Sequence, residues 1–182
     1  MPVLPYKNSL PQVASGVYVD ATAVVIGDVH IGEDSSIWPM CSIRGDVNSI
    51  RIGQSVNIQD NSVLHVTHPR KSVSSGVGAE GFKLEIGSEV TVGHQVVLHG
   101  CQIESQVLIG MGSIVMDGAI VRSRSLIGAG SLITEKMDVE GGYLWLGRPA
   151  RRIRALTAQE METFAYSAAH YVRLKNDYLH NA

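Results

Sequence analysis

Three of the seven histidines stand at positions from which they could bind one metal ion. His65 and His99 each directly follow a leucine, and His94 lies five residues before His99. Neutral imidazole nitrogens are common ligands of Zn²⁺, and three of them leave a fourth coordination position open for water or a substrate. Such a centre acidifies bound water and makes a nucleophile available near neutral pH. This chemistry requires a fold that brings the three side chains together.

A repeat of six residues dominates the chain and predicts that fold. The aliphatic anchors of the repeat are Val13, Val19, Val25, Ile31, Ile37, Ile43, Ile52, Ile58, Leu64, Ile86, Val92, Leu98, Ile103, Ile109, Val115, Val121, Ile127 and Ile133. A parallel β-helix has this period, because each short strand buries one aliphatic side chain before the chain turns a corner. An irregular β-sandwich, the alternative, would not keep so many anchors in register. The chain resembles the hexapeptide-repeat family, which implies an all-β fold, a left-handed parallel β-helix, here with a C-terminal α-helix.

Composition and interruptions of the repeat divide the chain into three predicted parts. Residues 1–12 contain three prolines and form an extended N-terminal arm. Residues 13–135 form the β-helix, and residues 136–182 form a linker and a C-terminal helix that packs on the prism. A polar, glycine-rich stretch, residues 68–78, interrupts the repeat and is predicted to project as a loop, a common place for function on a rigid scaffold.

The start of the C-terminal helix is marked by a capping-box signature. In this motif Thr157 and Glu160 would each bond the backbone N–H of the other. The helix is expected to end near Leu179. Its predicted apolar face consists of Met161, Phe164, Ala165, Ala168, Tyr171 and Val172.

The overall composition argues against several classes of function. The formal net charge is −2, so nothing indicates binding to nucleic acid or to an anionic membrane. The chain contains no run of about 18 apolar residues, the length that could span a bilayer. The N-terminus lacks the features of a secretory signal. We therefore expect a cytoplasmic protein. Cys41 and Cys101 have the spacing of neither a metal site nor a disulfide framework, and we expect buried, unreactive thiols.

The repeat also predicts where the histidines lie. Three hexads make one coil, so equivalent positions on adjacent coils are eighteen residues apart unless a loop intervenes. His65 and His99 are thirty-four residues apart, and if the loop contributes sixteen of these they occupy the same slot on neighbouring coils. Their backbones would then be about 4.8 Å apart, and a modest lean would bring two nitrogens to the roughly 3.4 Å that one zinc ion requires.

His94 lies two positions after Val92, on the preceding face of the coil, and cannot easily reach that pair within its own chain. It could do so across a threefold interface between copies of the chain. We therefore predict a metal site shared between subunits, with three such sites in a homotrimer.

The same counting places charged residues beside the histidines. Arg44 falls below His65 on the preceding coil, and Asp60 falls below His94. A charged group at a subunit boundary needs a partner, which Asp46 or Asp60 would provide for Arg44, within or across chains.

Several short segments of the chain closely resemble the γ-class carbonic anhydrases. These segments are Arg44-Gly45-Asp46, Asn57-Ile58-Gln59-Asp60, His65, and His94 with His99. The resemblance covers nearly the whole chain and is nearest to the shorter bacterial members. It implies a homotrimer of left-handed β-helices with Zn²⁺, or alternatively Fe²⁺ or Co²⁺, at each interface. It also implies reversible hydration of carbon dioxide to bicarbonate by metal-bound hydroxide.

The resemblance further implies a role for each matching residue. The metal ligands would be His65, His94 and His99. Gln59 would hydrogen-bond the metal-bound water or hydroxide, with Asn57 orienting nearby groups. Arg44, Asp46 and Asp60 would form an interfacial ion-pair network. Tyr171 would lie close to the site.

The chain departs from the family pattern in two places. Val47 stands where the best-studied members have a glutamate, directly after the Arg-Gly-Asp segment. Those members also carry a proton-shuttling glutamate in an acidic loop, whereas this chain offers His68 and the basic Pro69-Arg70-Lys71. Histidine titrates near neutral pH, so His68 is a candidate proton shuttle. The alternative is a solvated loop histidine.

Two other classes of function stay open from the residues. Many hexapeptide-repeat proteins are acyltransferases with a single histidine base, and Gly147-Arg148-Pro149-Ala150 resembles a segment common among them. Thioester hydrolysis at the same metal is a related option. A metal-stabilised trimer could instead serve as a non-catalytic binding module.

Overall fold

The computed structural model describes residues 3–70 and 79–180. Residues 71–78, most of the predicted loop 68–78, lie outside that description. The elements of the described parts are β1 (Val3–Leu4), β2 (Gln12–Val13), β3 (Tyr18–Val19), β4 (Val24–Ile31), β5 (Ser36–Ile37), β6 (Ser42–Ile52), β7 (Asn57–Ile58), β8 (Val63–His65), β9 (Leu84–Ile86), β10 (Thr91–Val92), β11 (Val97–His99), β12 (Gln102–Ile103), β13 (Leu108–Ile109), β14 (Ile114–Val115), β15 (Ile120–Val121), β16 (Leu126–Ile127), β17 (Leu132–Ile133), β18 (Asp138–Val139), β19 (Tyr143–Gly147), β20 (Ala150–Ala155) and α1 (Ala158–His180).

Short parallel strands stack into the three faces of a prism. The first face contains β8, β11, β14 and β17, and the second contains β9, β12, β15 and β18. The third runs from β3 through β5, β7, β10, β13 and β16 to β19, which pairs with the antiparallel β20. The long strands β4 and β6 turn a corner and belong to both the first and the second face. The predicted left-handed parallel β-helix with a C-terminal α-helix is confirmed.

The aliphatic anchors of the repeat form the core. Every predicted anchor from Val25 to Ile133 is buried, with at most 5% of its surface exposed. Each such side chain stabilises the fold by about 1.5–3 kcal/mol relative to full exposure. The prediction is wrong for Val13, which is 39% exposed, and Val19 is only partly buried. The reason is position, because β2 pairs with β4 alone and ends the prism. At the other end the repeat continues to the buried Val139.

The N-terminal arm is attached to the prism through β1. Val3 and Leu4 pair in parallel with Val25 and Ile26 of β4. The backbone N–H and C=O groups of this extended segment therefore join the ladder of the first face.

A glycine pair shapes the corner that β4 and β6 share. Gly27 has a φ of 81°, and a Cβ atom on it would lie 2.4 Å from the carbonyl oxygen of Gly45. A Cβ atom on Gly45 would lie 2.5 Å from the carbonyl oxygen of Asp28. Only glycine fits such close backbone approaches. This corner consequently holds Arg44 and Asp46, which flank Gly45, in fixed positions next to the first face.

Helix α1 lies on the third face, where it contacts β3, β5 and β10. The predicted capping box is confirmed: the Glu160 N–H donates to Thr157 Oγ1 at 3.2 Å, and the Thr157 N–H donates to Glu160 Oε2 at 2.9 Å. The buried residues of the helix are Phe164, Ala168 and Lys175.

The predicted apolar face of α1 is therefore partly wrong. Ala165 is exposed, and the buried stripe extends to a lysine instead. The Lys175 side chain is fully buried, and its Nζ lies 2.9 Å from Asp34 Oδ1 and 2.5 Å from Asn176 Oδ1. A lysine can occupy an inward position because these oxygens satisfy its ammonium group.

The two cysteines are free and buried, as predicted. Burial raises the pKa of the Cys41 thiol to about 11 and raises the pKa of Cys101 as well. Both thiols therefore stay protonated and unreactive near neutral pH. In the described residues, no helix combines the length and apolar character needed to cross a membrane.

Candidate metal centre

His65 and His99 lie side by side on adjacent coils of the first face. They end β8 and β11 and are direct partners in the parallel ladder. His65 Nδ1 and His99 Nε2 are 3.1 Å apart, and the ring centroids are 5.1 Å apart. Two nitrogens bound to one zinc ion would be separated by roughly 3.4 Å. The pair is therefore spaced to share a metal ion with little adjustment.

Each of the two histidines also contacts a carboxylate through its other ring nitrogen. His65 Nε2 lies 3.0 Å from Asp46 Oδ1, and His99 Nδ1 lies 2.6 Å from Asp117 Oδ1. Thr67 Oγ1 donates to the second oxygen of Asp117 at 2.6 Å. Carboxylates in such positions fix the tautomer and the orientation of metal-bound histidines.

Asp117 is a residue that the sequence analysis missed. It lies eighteen residues after His99, whereas the coil has seventeen residues at this point, since Leu98 pairs with Val115. Strict counting therefore places Met116 in the slot of His99 and Asp117 one position beyond it, so the counting that pairs His65 with His99 could not have identified it.

The line Asp46–His65–His99–Asp117 lacks one proton when both rings are neutral. Its three contacts each need one hydrogen between the two facing atoms, whereas two neutral imidazoles carry one N–H each. If both rings donate to their carboxylates, the facing nitrogens of His65 and His99 present two lone pairs to each other. A cation between them removes this conflict. The donor set therefore fits a metal ion.

Protonation of His65 is not an easy alternative. Burial lowers the pKa of His65, and the positive charge of Arg44 adds to that effect against the opposing hydrogen bond to Asp46. For Asp46 itself, burial would raise the pKa, but hydrogen bonds from His65 and Arg44 outweigh it and lower the pKa. Near neutral pH the line therefore combines an ionised Asp46 with a neutral His65.

Arg44 contacts Asp46, one of its two predicted partners. The guanidinium group thereby balances the negative charge of the carboxylate that holds His65. Val47, which follows Asp46, is 39% exposed. We call Arg44, Asp46, His65, His99 and Asp117 the paired-histidine half of the site.

His94 belongs to a different part of the molecule. It is exposed on the corner that follows β10, and its Nδ1 lies 3.0 Å from Asp60 Oδ2. Within one chain Asp60 therefore contacts His94, and Arg44 contacts Asp46. Within the described parts of one chain, no three His, Cys, Asp or Glu side chains form a group that could hold a metal ion. One copy of the chain brings together two of the three predicted ligands.

Gln59 and Asn57 lie on the same side of the molecule as His94. Both are buried, and Gln59 Nε2 donates to Asn57 Oδ1 at 3.0 Å. Asn57 and Ile58 pair with Thr91 and Val92, the strand that leads to His94. Asn57 Nδ2 in turn donates to Thr91 Oγ1 at 3.0 Å.

Tyr171 also lies near Asp60. Its ring packs edge-on against Trp38 with centroids 5.7 Å apart. Burial raises the pKa of Tyr171, and the nearby charge of Asp60 adds to the increase. We call Asn57, Gln59, Asp60, His94 and Tyr171 the single-histidine half of the site.

His68, the candidate proton shuttle, is exposed just after β8. It follows the partly buried Thr67, whose hydroxyl bonds to Asp117. This short stretch therefore leads from the paired-histidine half directly to solvent.

Comparison with known proteins gives the family. No protein-family model matches the chain. Protein YrdA from Escherichia coli (strain K12) is 51% identical over 175 residues, which cover 96% of this chain and 92% of that protein. Gamma carbonic anhydrase 1, mitochondrial, from Arabidopsis thaliana is 42% identical, covering 92% of this chain and 58% of that protein. The carbonic anhydrase of Geobacillus kaustophilus is 40% identical, covering 93% of this chain and 87% of that protein.

A solved structure agrees with the fold and carries a different family name. The crystal structure of a hexapeptide transferase family protein from Anaplasma phagocytophilum superposes with a TM-score of 0.86 at 39% identity. The match covers 97% of each chain. Because the Geobacillus carbonic anhydrase is matched over most of its length, the chain belongs to the γ-class carbonic anhydrase family of hexapeptide-repeat β-helix proteins.

Proposed function

We propose that the chain forms a homotrimer in which the paired-histidine half of one copy meets the single-histidine half of the next. His65 and His99 of one copy and His94 of its neighbour would then hold one divalent cation. Two complementary halves on one chain make a head-to-tail contact, and such contacts form a ring when the rotation between copies closes, here after three copies. We propose Zn²⁺ as the metal, although three imidazoles also suit Fe²⁺ and Co²⁺.

The reaction that we propose for this site is reversible hydration of carbon dioxide to bicarbonate. A divalent cation bound there would supply Lewis-acid chemistry, lowering the pKa of bound water from about 15.7 towards about 7. Asp46 and Asp117 hold the two imidazoles in the tautomers that direct lone pairs at each other. Hydrogen bonds from His65 and Arg44 lower the pKa of Asp46 and keep it ionised.

The single-histidine half would orient the reactants. The Gln59 amide nitrogen donates to Asn57, which fixes the plane of the amide and leaves its carbonyl oxygen as the group that can accept a hydrogen bond. His68 would carry the released proton to solvent. The family membership and the missing proton in the line Asp46–His65–His99–Asp117 support this proposal, and the second is the observation that carries it.

Stopped-flow measurement of carbon dioxide hydration tests the reaction. The metal-loaded protein should accelerate hydration, and the His65→Ala variant should not. Iron loading under anaerobic conditions should be measured beside zinc loading, because the wrong metal can give an inactive protein. Equal rates for the two proteins under both conditions would favour a metal-stabilised trimer without turnover.

Acyl-group chemistry is the second candidate. A solved structure named for a hexapeptide transferase family matches 97% of this chain at 39% identity. The segment Gly147-Arg148-Pro149-Ala150 links β19 to β20 at the end of the prism. Hydrolysis of acetyl-coenzyme A, or acetyl transfer from it to an amine, by protein that fails to hydrate carbon dioxide would favour this candidate.

A further inference from the structure

A line of hydrogen bonds connects Gln59 to helix α1. It begins with the bond from Gln59 Nε2 to Asn57 Oδ1 and continues from Asn57 Nδ2 to Thr91 Oγ1, each at 3.0 Å. Thr91 Oγ1 then lies 2.8 Å from Ser167 Oγ on the helix. The line crosses from the buried wall of the third face to the element packed over it.

The amide groups give this line a direction. Because the Asn57 carbonyl oxygen accepts from Gln59, the Asn57 amide nitrogen must face Thr91, and the Thr91 hydroxyl must accept from it. The relative exposure of Asn57 is 1%, of Thr91 6% and of Gln59 7%. Because water has little access to these side chains, it cannot readily replace a lost hydrogen-bond partner. A buried polar network is rigid only when all of its hydrogen bonds are made.

We propose that Ser167 is a positioning residue for Gln59, acting through Thr91 and Asn57. The Thr91 hydroxyl would donate to Ser167 Oγ, so that Thr91 Oγ1 can only accept from the Asn57 amide. This selects the orientation of the Asn57 amide and through it the orientation of the Gln59 amide. The catalytic consequence rests on the proposed function, in which Gln59 meets the reactants. The structural consequence, a fixed Gln59 amide, does not.

A role of Ser167 in holding α1 on the prism can be distinguished from a role in positioning Gln59. The helix is also held by the buried Phe164 and Ala168 and by the ion pair between Lys175 and Asp34. Alanine has a higher helix propensity than serine. Ser167→Ala should therefore leave α1 in place while removing only the hydroxyl.

The first test compares the kinetics of three variants with those of the metal-loaded wild-type trimer. Ser167→Ala should lower kcat for carbon dioxide hydration about tenfold, the factor that corresponds to one neutral hydrogen bond. KM and metal content should stay unchanged. Ser167→Thr should restore kcat, because it restores the hydroxyl. The matched control is Thr163→Ala, which removes an exposed hydroxyl that bonds to Gln159 O on the same helix.

The second test does not depend on activity. In the ¹⁵N NMR spectrum of the metal-loaded trimer, Ser167→Ala should shift the side-chain amide signals of Gln59 and Asn57, and Thr163→Ala should not. Unchanged signals in folded Ser167→Ala protein would overturn the proposal. If Ser167→Ala disturbs the helix, Thr91→Val breaks the same line from the prism side, and unchanged Gln59 and Asn57 signals there would overturn it equally. Shifted signals in a protein without hydration activity would leave the positioning role standing and reject only the proposed reaction.

Discussion

His99 Nδ1 and Asp117 Oδ1, on adjacent coils of the prism, lie 2.6 Å apart. Thr67 holds the other oxygen of that carboxylate, so the acceptor cannot turn away. A neutral His99 that donates Nδ1–H to this carboxylate presents the lone pair of Nε2 towards His65. A residue outside the predicted site thus determines which nitrogen of His99 is available to a metal ion.

Asp117→Asn should weaken metal binding about 10-fold to 100-fold, the range found when outer partners of metal ligands are changed. The amide is a weaker acceptor than the carboxylate, and it can also present its nitrogen to His99. Competition with a chelator measures the affinity. The matched control is Asp138→Asn, which alters an exposed carboxylate paired with Arg122. Equal affinity in Asp117→Asn and in wild type would remove Asp117 from the site.

His68→Ala should slow carbon dioxide hydration about a hundredfold in weak buffer, the lower end of what a positioned proton-transfer group contributes, and little in concentrated buffer. The reason is that buffer molecules can accept the proton that His68 would otherwise carry away. The measurement is turnover as a function of buffer concentration at constant pH and ionic strength. His180→Ala, at the exposed end of α1, serves as the control. If His68→Ala and wild type show the same buffer dependence, His68 is a solvated loop residue.

Glu160, which pairs with Arg154 and completes the capping box of α1, should make stability depend on pH in acid. The hydrogen bond from Arg154, with that from the Thr157 N–H, lowers the pKa of Glu160 from 4.5 to about 2. Since the folded pKa is the lower one, the contribution is fully present above pH 4.5 and is lost as the pH falls towards 2. Thermal unfolding of wild type and Glu160→Gln should therefore differ above pH 4.5 and converge below it. A difference that stays constant down to pH 3 would contradict this account.

Asp34→Asn should destabilise the protein by about 1–2 kcal/mol, because it leaves the buried Lys175 ammonium without its carboxylate. This value is smaller than for a fully buried pair, since Asp34 is half exposed and water screens the interaction. Asparagine tolerates the positive φ of 57° at this position, so the backbone is kept. Thermal unfolding midpoints give the comparison, with the exposed neighbour Glu33→Gln as control. Equal midpoints for the two variants would show that the ion pair does not hold the helix.

Residues inside the repeat were the most predictable from sequence. Because every coil repeats the same geometry, counting alone places His65 beside His99 and Asp60 beside His94, as the structure has them. The same counting extends to Thr91, which lies thirty-four residues after Asn57, the spacing of the histidine pair. These contacts follow from the register of the parallel strands, which brings residues on adjacent coils together although they are far apart in sequence.

Residues outside the repeat were less predictable, because no period relates them to the prism. The rotation of α1 about its own axis decides that Ala165 is exposed and Lys175 is buried. A pattern of apolar residues on the helix could not show this, since the buried position is filled by a charged side chain whose partner is Asp34. The contact between Ser167 and Thr91 depends on the same rotation. Val13 is exposed for a different reason, the end of the stack at β2.

We propose that one metal site draws its ligands from two copies of the chain. The His94→Ala variant retains the paired-histidine half, and the His65→Ala/His99→Ala variant retains the single-histidine half. Neither homotrimer should bind metal at the site. Mixed trimers of the two variants, isolated with two different affinity tags, contain a single junction at which an intact pair meets an intact His94.

Metal analysis of those mixed trimers is the most direct measurement. We predict about one divalent ion per mixed trimer, against about three in wild type and none in either parent variant. Mixed trimers without metal, or a His94→Ala homotrimer with its full complement, would contradict a site shared between copies.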